Sequence, residues 1–173
     1  MALHATNRSR LVARLREKGV GDGVVLLRGA PSASRFDTDH ELFTRQESFF
    51  QWLFGVKEPD CYGGVDVASG RSTLFVPRLP AEYAVWMGRI KELSEFRAAY
   101  EVDEVRFVDE LASAWPAKTR LLLLHGQNTD SSSWAEPAAF AGQERYERDT
   151  ATLFPHIVDL RVVKTKLEQV VMR

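Results

Sequence analysis

A single cysteine, Cys61, stands in 173 residues, so the chain cannot close a disulfide within itself. It has no second cysteine with which to build a zinc site, and the next histidine downstream is His125. A lone thiol with no base nearby reads as a buried or half-buried side chain in a reducing, cytoplasmic setting, not as a nucleophile. Long apolar runs are missing too. No segment approaches the roughly 18 consecutive apolar residues that a membrane span needs. The Arg-rich start, Met1 to Arg16, lacks the apolar stretch of a secretory signal. Charge of one sign is also absent as a block. Lys and Arg number 23, Asp and Glu 24, for a net charge of −1. Neither nucleic acid nor a membrane surface is therefore an expected partner.

The usual catalytic signatures are missing as well. There is no G-x-S-x-G elbow, no phosphate-binding P-loop, no G-x-G-x-x-G and no HExxH. Gly29-Ala30-Pro31 is too short to cradle a phosphate. The four histidines, His4, His40, His125 and His156, are scattered, and His156 follows Pro155 in what reads as a turn. The densest polar cluster is Asp37-Thr38-Asp39-His40. Two carboxylates and an imidazole could hold a divalent cation. The same residues could equally make a solvated turn whose Asp side chains accept from nearby amides. No catalytic residue and no metal ligand is assigned in this chain.

What remains is a chain long enough for one domain with a proper core, 45% hydrophobic and 27% charged. A first helix is expected around Arg8 to Lys18, capped by Asn7, with Leu11, Val12 and Leu15 on one face and Gly19 at its end. Val24 to Leu27 reads as a strand buried on both faces. The polar stretch 32–46 reads as a loop, and Phe49, Phe50, Trp52, Leu53 and Phe54 as a core aromatic cluster. Tyr62–Val67 and Ser72–Val76 flank Ser69-Gly70 as a hairpin. Helices are expected over 81–90 and 92–100, a strand over 105–108 and a helix over 109–115. A buried strand over 121–124, a helical segment over about 142–153 and a last strand over 157–163 follow. Six strands with helices between most of them imply an α/β domain, a six-stranded mixed sheet flanked by helices. Thr165 and Glu168 have capping-box spacing, so a helix should begin there. It has run only about two turns at Arg173, which leads us to expect a longer protein.

One ordered series of motifs carries a family resemblance. Arg45-Gln46-Glu47-Ser48-Phe49-Phe50-Gln51-Trp52-Leu53-Phe54-Gly55-Val56 with Glu58-Pro59 resembles the amino-terminal domain of eukaryotic prolidases, within the aminopeptidase P and creatinase group. So do Ser72 through Pro80, Trp86-Met87-Gly88, Val108-Asp109-Glu110, Asn128 through Ser131, and Arg161 through Thr165. Lys166, Gln169 and the polar loop Asp37 to Thr44 depart from that pattern.

The resemblance implies a non-catalytic domain over residues 1–164, with residues 165–173 starting a linker helix into a catalytic domain. It implies that the full-length enzyme hydrolyses dipeptides ending in proline. Two manganese ions would do this, held by two Asp, two Glu and a His outside this chain, so the segment alone would be inactive. It also implies a homodimer in which Trp86 reaches the partner subunit's substrate pocket. By its own context Trp86 reads instead as a core residue like Trp52. Two other functions stay open: an aminopeptidase P acting on longer Xaa-Pro peptides, and a stand-alone binding module.

Overall fold

The structure, a computed structural model, describes residues 2–173. Its centre is the expected six-stranded mixed sheet. The strands are β1 (Val24–Arg28), β2 (Tyr62–Asp66), β3 (Ser72–Val76), β4 (Glu104–Phe107), β5 (Arg120–Leu123) and β8 (Glu147–Asp149), in the order β4-β3-β2-β1-β5-β8. β1 and β2 pair antiparallel, as do β2 and β3, while β4, β5 and β8 join in parallel. A separate two-stranded ribbon pairs β6 (Gly126–Gln127) with β7 (Trp134–Ala135). The helices are α1 (Ala2–Glu17), α2 (Ser48–Phe54), α3 (Tyr83–Met87), α4 (Leu93–Tyr100), α5 (Leu153–Val162) and α6 (Lys166–Val171).

Alternation along β1 explains why this strand reads as a continuous apolar run. Val25 and Leu27 point into one core with α1, α2 and α5, whereas Val24 and Leu26 point into a second with Leu111, Ala138 and Tyr146. The helices flank the sheet as expected, but unequally. The major helices gather on one face, and a short 3-10 helix (Val108–Ser113) with the irregular chain through Tyr146 covers the other. β2 carries adjacent glycines because both faces press on it. A Cβ on Gly63 would lie 2.3 Å from the Phe54 ring, and one on Gly64 would lie 2.8 Å from Trp115.

Several local expectations are overturned. α1 begins at Ala2, so Asn7 is not its cap; it is fully buried, and its amide donates to the Trp52 carbonyl. The far end of α1 does stop at Gly19. There the Gly19 amide donates to the Arg16 carbonyl and the Val20 amide to that of Leu15, a Schellman closure at a φ of 79°. Residues 157–163 are not a strand. Leu153, Ile157 and Leu160 share a buried face of α5, and Pro155 is tolerated as its third residue, where no intrahelical acceptor is needed. His156 therefore sits in a helix, not a turn. Residues 142–153 are not a helix; they supply a 3-10 turn (Gln143–Arg145) and the edge strand β8. The helix expected over 81–90 shortens to α3, and that over 109–115 is the 3-10 turn.

Candidate functional site

α2 shows how the sequence anchors an aromatic cluster. The Glu47 carboxylate accepts from the amides of Phe49 and Phe50 at the helix start, and Gly55 closes its end in the left-handed region at a φ of 65°. Phe50, Trp52, Leu53 and Phe54 are all buried. Trp52 is held from several sides. Its indole Nε1 donates to Glu168 Oε1 at 2.6 Å, and its carbonyl accepts from Asn7 and meets His4 Nδ1 at 3.1 Å.

Glu168 belongs to α6, so this bond ties the last helix to the core. Its other oxygen accepts from the Thr165 amide, completing the capping box expected from the spacing, and Arg10 lies 3.7 Å away. Burial alone would raise the Glu168 carboxyl. The Thr165 amide, the Trp52 indole and Arg10 outweigh it and hold the group below its usual range.

Arg8 is a second buried anchor. It donates to the carbonyls of Leu53 at 2.8 Å and Glu101 at 2.5 Å, at the C-terminal ends of α2 and α4. A guanidinium there meets carbonyls that lack intrahelical partners and the negative end of each helix dipole. Burial lowers its pKa from the ordinary value.

The candidate metal cluster does not assemble into a ligand set. Asp37, Asp39 and His40 lie on a fully exposed turn closed by the Arg35 amide on the His40 carbonyl and by the Thr38 hydroxyl on the Arg35 carbonyl. Threonine and the main chain, rather than the Asp side chains, make that turn. Among the described residues no three His, Cys, Asp or Glu side chains gather into a set that could hold a metal. Cys61 is fully buried, and burial pushes its thiol up to about 12. A thiol that resists ionisation this strongly cannot attack at neutral pH.

Two surface features remain. The first is a cleft of about 670 Å³ between the β6–β7 ribbon and α5, lined by Phe49, Asn128, Trp134, Phe154, Arg161 and Lys164. Arg161 stacks over the Phe49 ring at 4.3 Å, and Trp134 stacks on His125. Within the ribbon's turn, Asn128 Oδ1 accepts from the amides of Asp130 and Ser131, so this motif shapes a loop. The lining also holds Ser48, whose hydroxyl donates to Glu47 at 3.3 Å and accepts from Arg161, but that carboxylate is engaged as the cap of α2.

The second is Trp86. It is 85% exposed in α3, between Val85 and Met87, which are also exposed, and α3 buries none of its residues. The reading of Trp86 as a core residue like Trp52 is therefore wrong. Sequence reasoning missed Arg8, the Trp52–Glu168 bond and the Glu58–Tyr100 contact, in which the Tyr100 hydroxyl donates to Glu58 at 2.5 Å. For Arg8 a signal was present: it falls one helical turn before Leu11 and Val12, on the apolar face of α1.

Comparison with known proteins gives this geometry its relatives. The family model described as the aminopeptidase P N-terminal domain matches residues 4–122. The Xaa-Pro dipeptidase of Homo sapiens is 47% identical over 177 aligned residues, which cover 100% of this chain and 36% of that protein. A probable Xaa-Pro aminopeptidase of Metarhizium robertsii is 28% identical over 181 residues, covering 98% of this chain and 34% of that protein. Among solved structures, a putative aminopeptidase P from Bacillus anthracis superposes with a TM-score of 0.72 at 18% identity. It covers 99% of this chain and 42% of that one, and shares the fold. The chain thus spans little more than a third of the length of the curated relatives it matches.

Proposed function

The chain belongs to the aminopeptidase P N-terminal domain family, and we propose that it is the non-catalytic amino-terminal part of an Xaa-Pro dipeptidase. Residues 1–164 form the domain in this reading, and residues 165–173 begin the linker to a catalytic domain. The observation that carries it is 47% identity to a dipeptidase over the whole of this chain, against 28% to an aminopeptidase over nearly the same span. In this reading the manganese pair is held by the catalytic domain, and this chain supplies no catalytic residue. Its contribution is Trp86. An indole that projects from the surface can enter the pocket of a second subunit in a homodimer, pack on a proline ring and exclude water. The buried thiol of Cys61 suits a cytoplasmic protein.

Trp86→Ala in the full-length enzyme tests this reading. KM for Gly-Pro should rise or kcat fall, with an unchanged melting temperature. Unchanged kinetics would overturn the pocket role. The 173-residue chain alone should not hydrolyse Gly-Pro with added manganese, and genuine turnover would show that the ligands lie within it. Cleavage of Gly-Pro but not of a longer Xaa-Pro peptide by the full-length enzyme separates dipeptidase from aminopeptidase.

A further inference from the structure

Trp86 rides on a segment with no core of its own. From Pro77 to Glu92 no residue is buried, although the strand before it ends on buried Val76 and the helix after it ends on buried Tyr100. Pro77, Leu79, Tyr83 and Ile90 are only half-buried, so apolar packing gives the arm little hold. Polar contacts at its two roots supply the rest.

At the entering root, Arg78 makes a two-pronged bond to Asp109, Nε to Oδ2 at 2.7 Å and Nη2 to Oδ1 at 3.2 Å. Its guanidinium also lies 3.7 Å from the centre of the Phe107 ring. At the leaving root, Arg89 grips Glu95 through two bonds of 2.7 and 2.6 Å, and Glu95 also accepts from the Glu92 amide. Both pairs are exposed, and exposed pairs hold weakly and are screened by salt.

The third contact differs. Lys91 Nζ donates to Glu58 Oε1 at 2.6 Å, while Glu58 Oε2 accepts from the Tyr100 hydroxyl. Glu58 is only a quarter exposed, and it lies on the loop after α2, so it links the arm to the rigid half of the molecule. The Lys57 amide donates to the Tyr100 oxygen at 3.4 Å, which fixes the phenol that in turn fixes the carboxylate. Lys91 also sits over the Phe96 ring at 5.5 Å.

We infer that Glu58, held by Tyr100 and gripping Lys91, is a positioning residue that aims the Trp86 arm. The importance of the aim rests on the pocket role proposed above; the anchoring itself does not. Pro77 and Pro80 stiffen the arm internally, so a change at its root swings the whole segment and its indole together. Two of the three anchors are exposed ion pairs, so the aim loosens with salt.

Fluorine NMR of this chain labelled with 5-fluorotryptophan tests the anchoring. Trp86 is assigned by the signal lost in Trp86→Phe, and Trp52, Trp115 and Trp134 serve as internal controls. In the wild type the Trp86 signal should relax at a rate close to that of Trp52, as part of one tumbling body. In Glu58→Gln its transverse relaxation should slow by about twofold or more, with the three other signals unmoved. Lys91→Met, a change on the exposed side that leaves Tyr100 its acceptor, should do the same, and Lys91→Arg should restore the wild-type rate. Molar salt should slow Trp86 relaxation in the wild type. An unchanged Trp86 rate in both Glu58→Gln and Lys91→Met would overturn the inference.

In the full-length enzyme, Glu58→Gln should raise KM for Gly-Pro by about three- to tenfold with little change in kcat. If Trp86→Ala leaves kinetics untouched while the fluorine signal still responds to Glu58→Gln, the pocket role fails and the anchoring stands. If the signal does not respond, the anchoring fails whatever the kinetics show.

Discussion

Trp52 and Trp86 both sit in short helices of mostly apolar residues, Ser48–Phe54 and Tyr83–Met87, yet one is 8% exposed and the other 85%. The difference lies in what surrounds each helix. α2 has a carboxylate cap at its start, a left-handed glycine at its end and an indole partner in Glu168, and Asn7 and His4 reach its carbonyl. α3 has no side-chain cap, and its ends continue into an arm held by ion pairs. An apolar residue type does not decide burial. The surroundings do: side chains from α1 and α6 close over Trp52, whereas no described element of this chain covers α3.

The comparison can be broken most forcefully at Trp52. Trp52→Ala should cost about 3–5 kcal/mol of stability, read by thermal or denaturant unfolding, because it empties a packed site and strands the Glu168 carboxylate. A smaller effect is expected at the partner. Glu168→Gln should cost about 1–3 kcal/mol and loosen α6 without exposing Trp52 fully. The pH dependence has a definite direction. Since the folded state holds the Glu168 carboxyl below its usual range, its contribution is present above about pH 4 and is lost as pH falls through the folded value. The stability gap between wild type and Glu168→Gln should therefore narrow in acid; a gap that widens there would contradict the assignment. At the other end of the scale, Trp86→Ala should change stability by less than about 0.5 kcal/mol. A large loss there would erase the contrast between the two residues.

Some of this was legible in the residues. The hairpin is announced by Ser69-Gly70, the buried central strands by Val24–Leu27 and Leu121–Leu124, and the α6 cap by Thr165 and Glu168. β8 was not legible, because Glu147-Arg148-Asp149 has no apolar face. Its strand conformation comes from pairing to β5, where Arg120 and Asp149 also form an ion pair. α5 was misread because Ile157, Val158, Val162 and Val163 favour strands locally. The spacing of Leu153, Ile157 and Leu160, together with a sheet already filled on that face, makes them helical. The exposure of Trp86 was hidden for a related reason: a five-residue apolar stretch looks the same whether or not a partner surface covers it. Lys91, Glu58 and Tyr100 meet only across 33 and 42 residues of chain, a distance over which periodicity carries no signal.

The order of the strands has one more consequence. The strands most prone to self-association, β1 and β5, are both interior to the sheet, while its two rims are the short, charge-bearing β4 and β8. Glu104 and Arg106 guard one rim, and Glu147, Arg148 and Asp149 the other. Such rims are poor templates for an incoming strand. The native molecule thus withholds its stickiest backbone from its neighbours, and fibrous aggregation should need the sheet to open first.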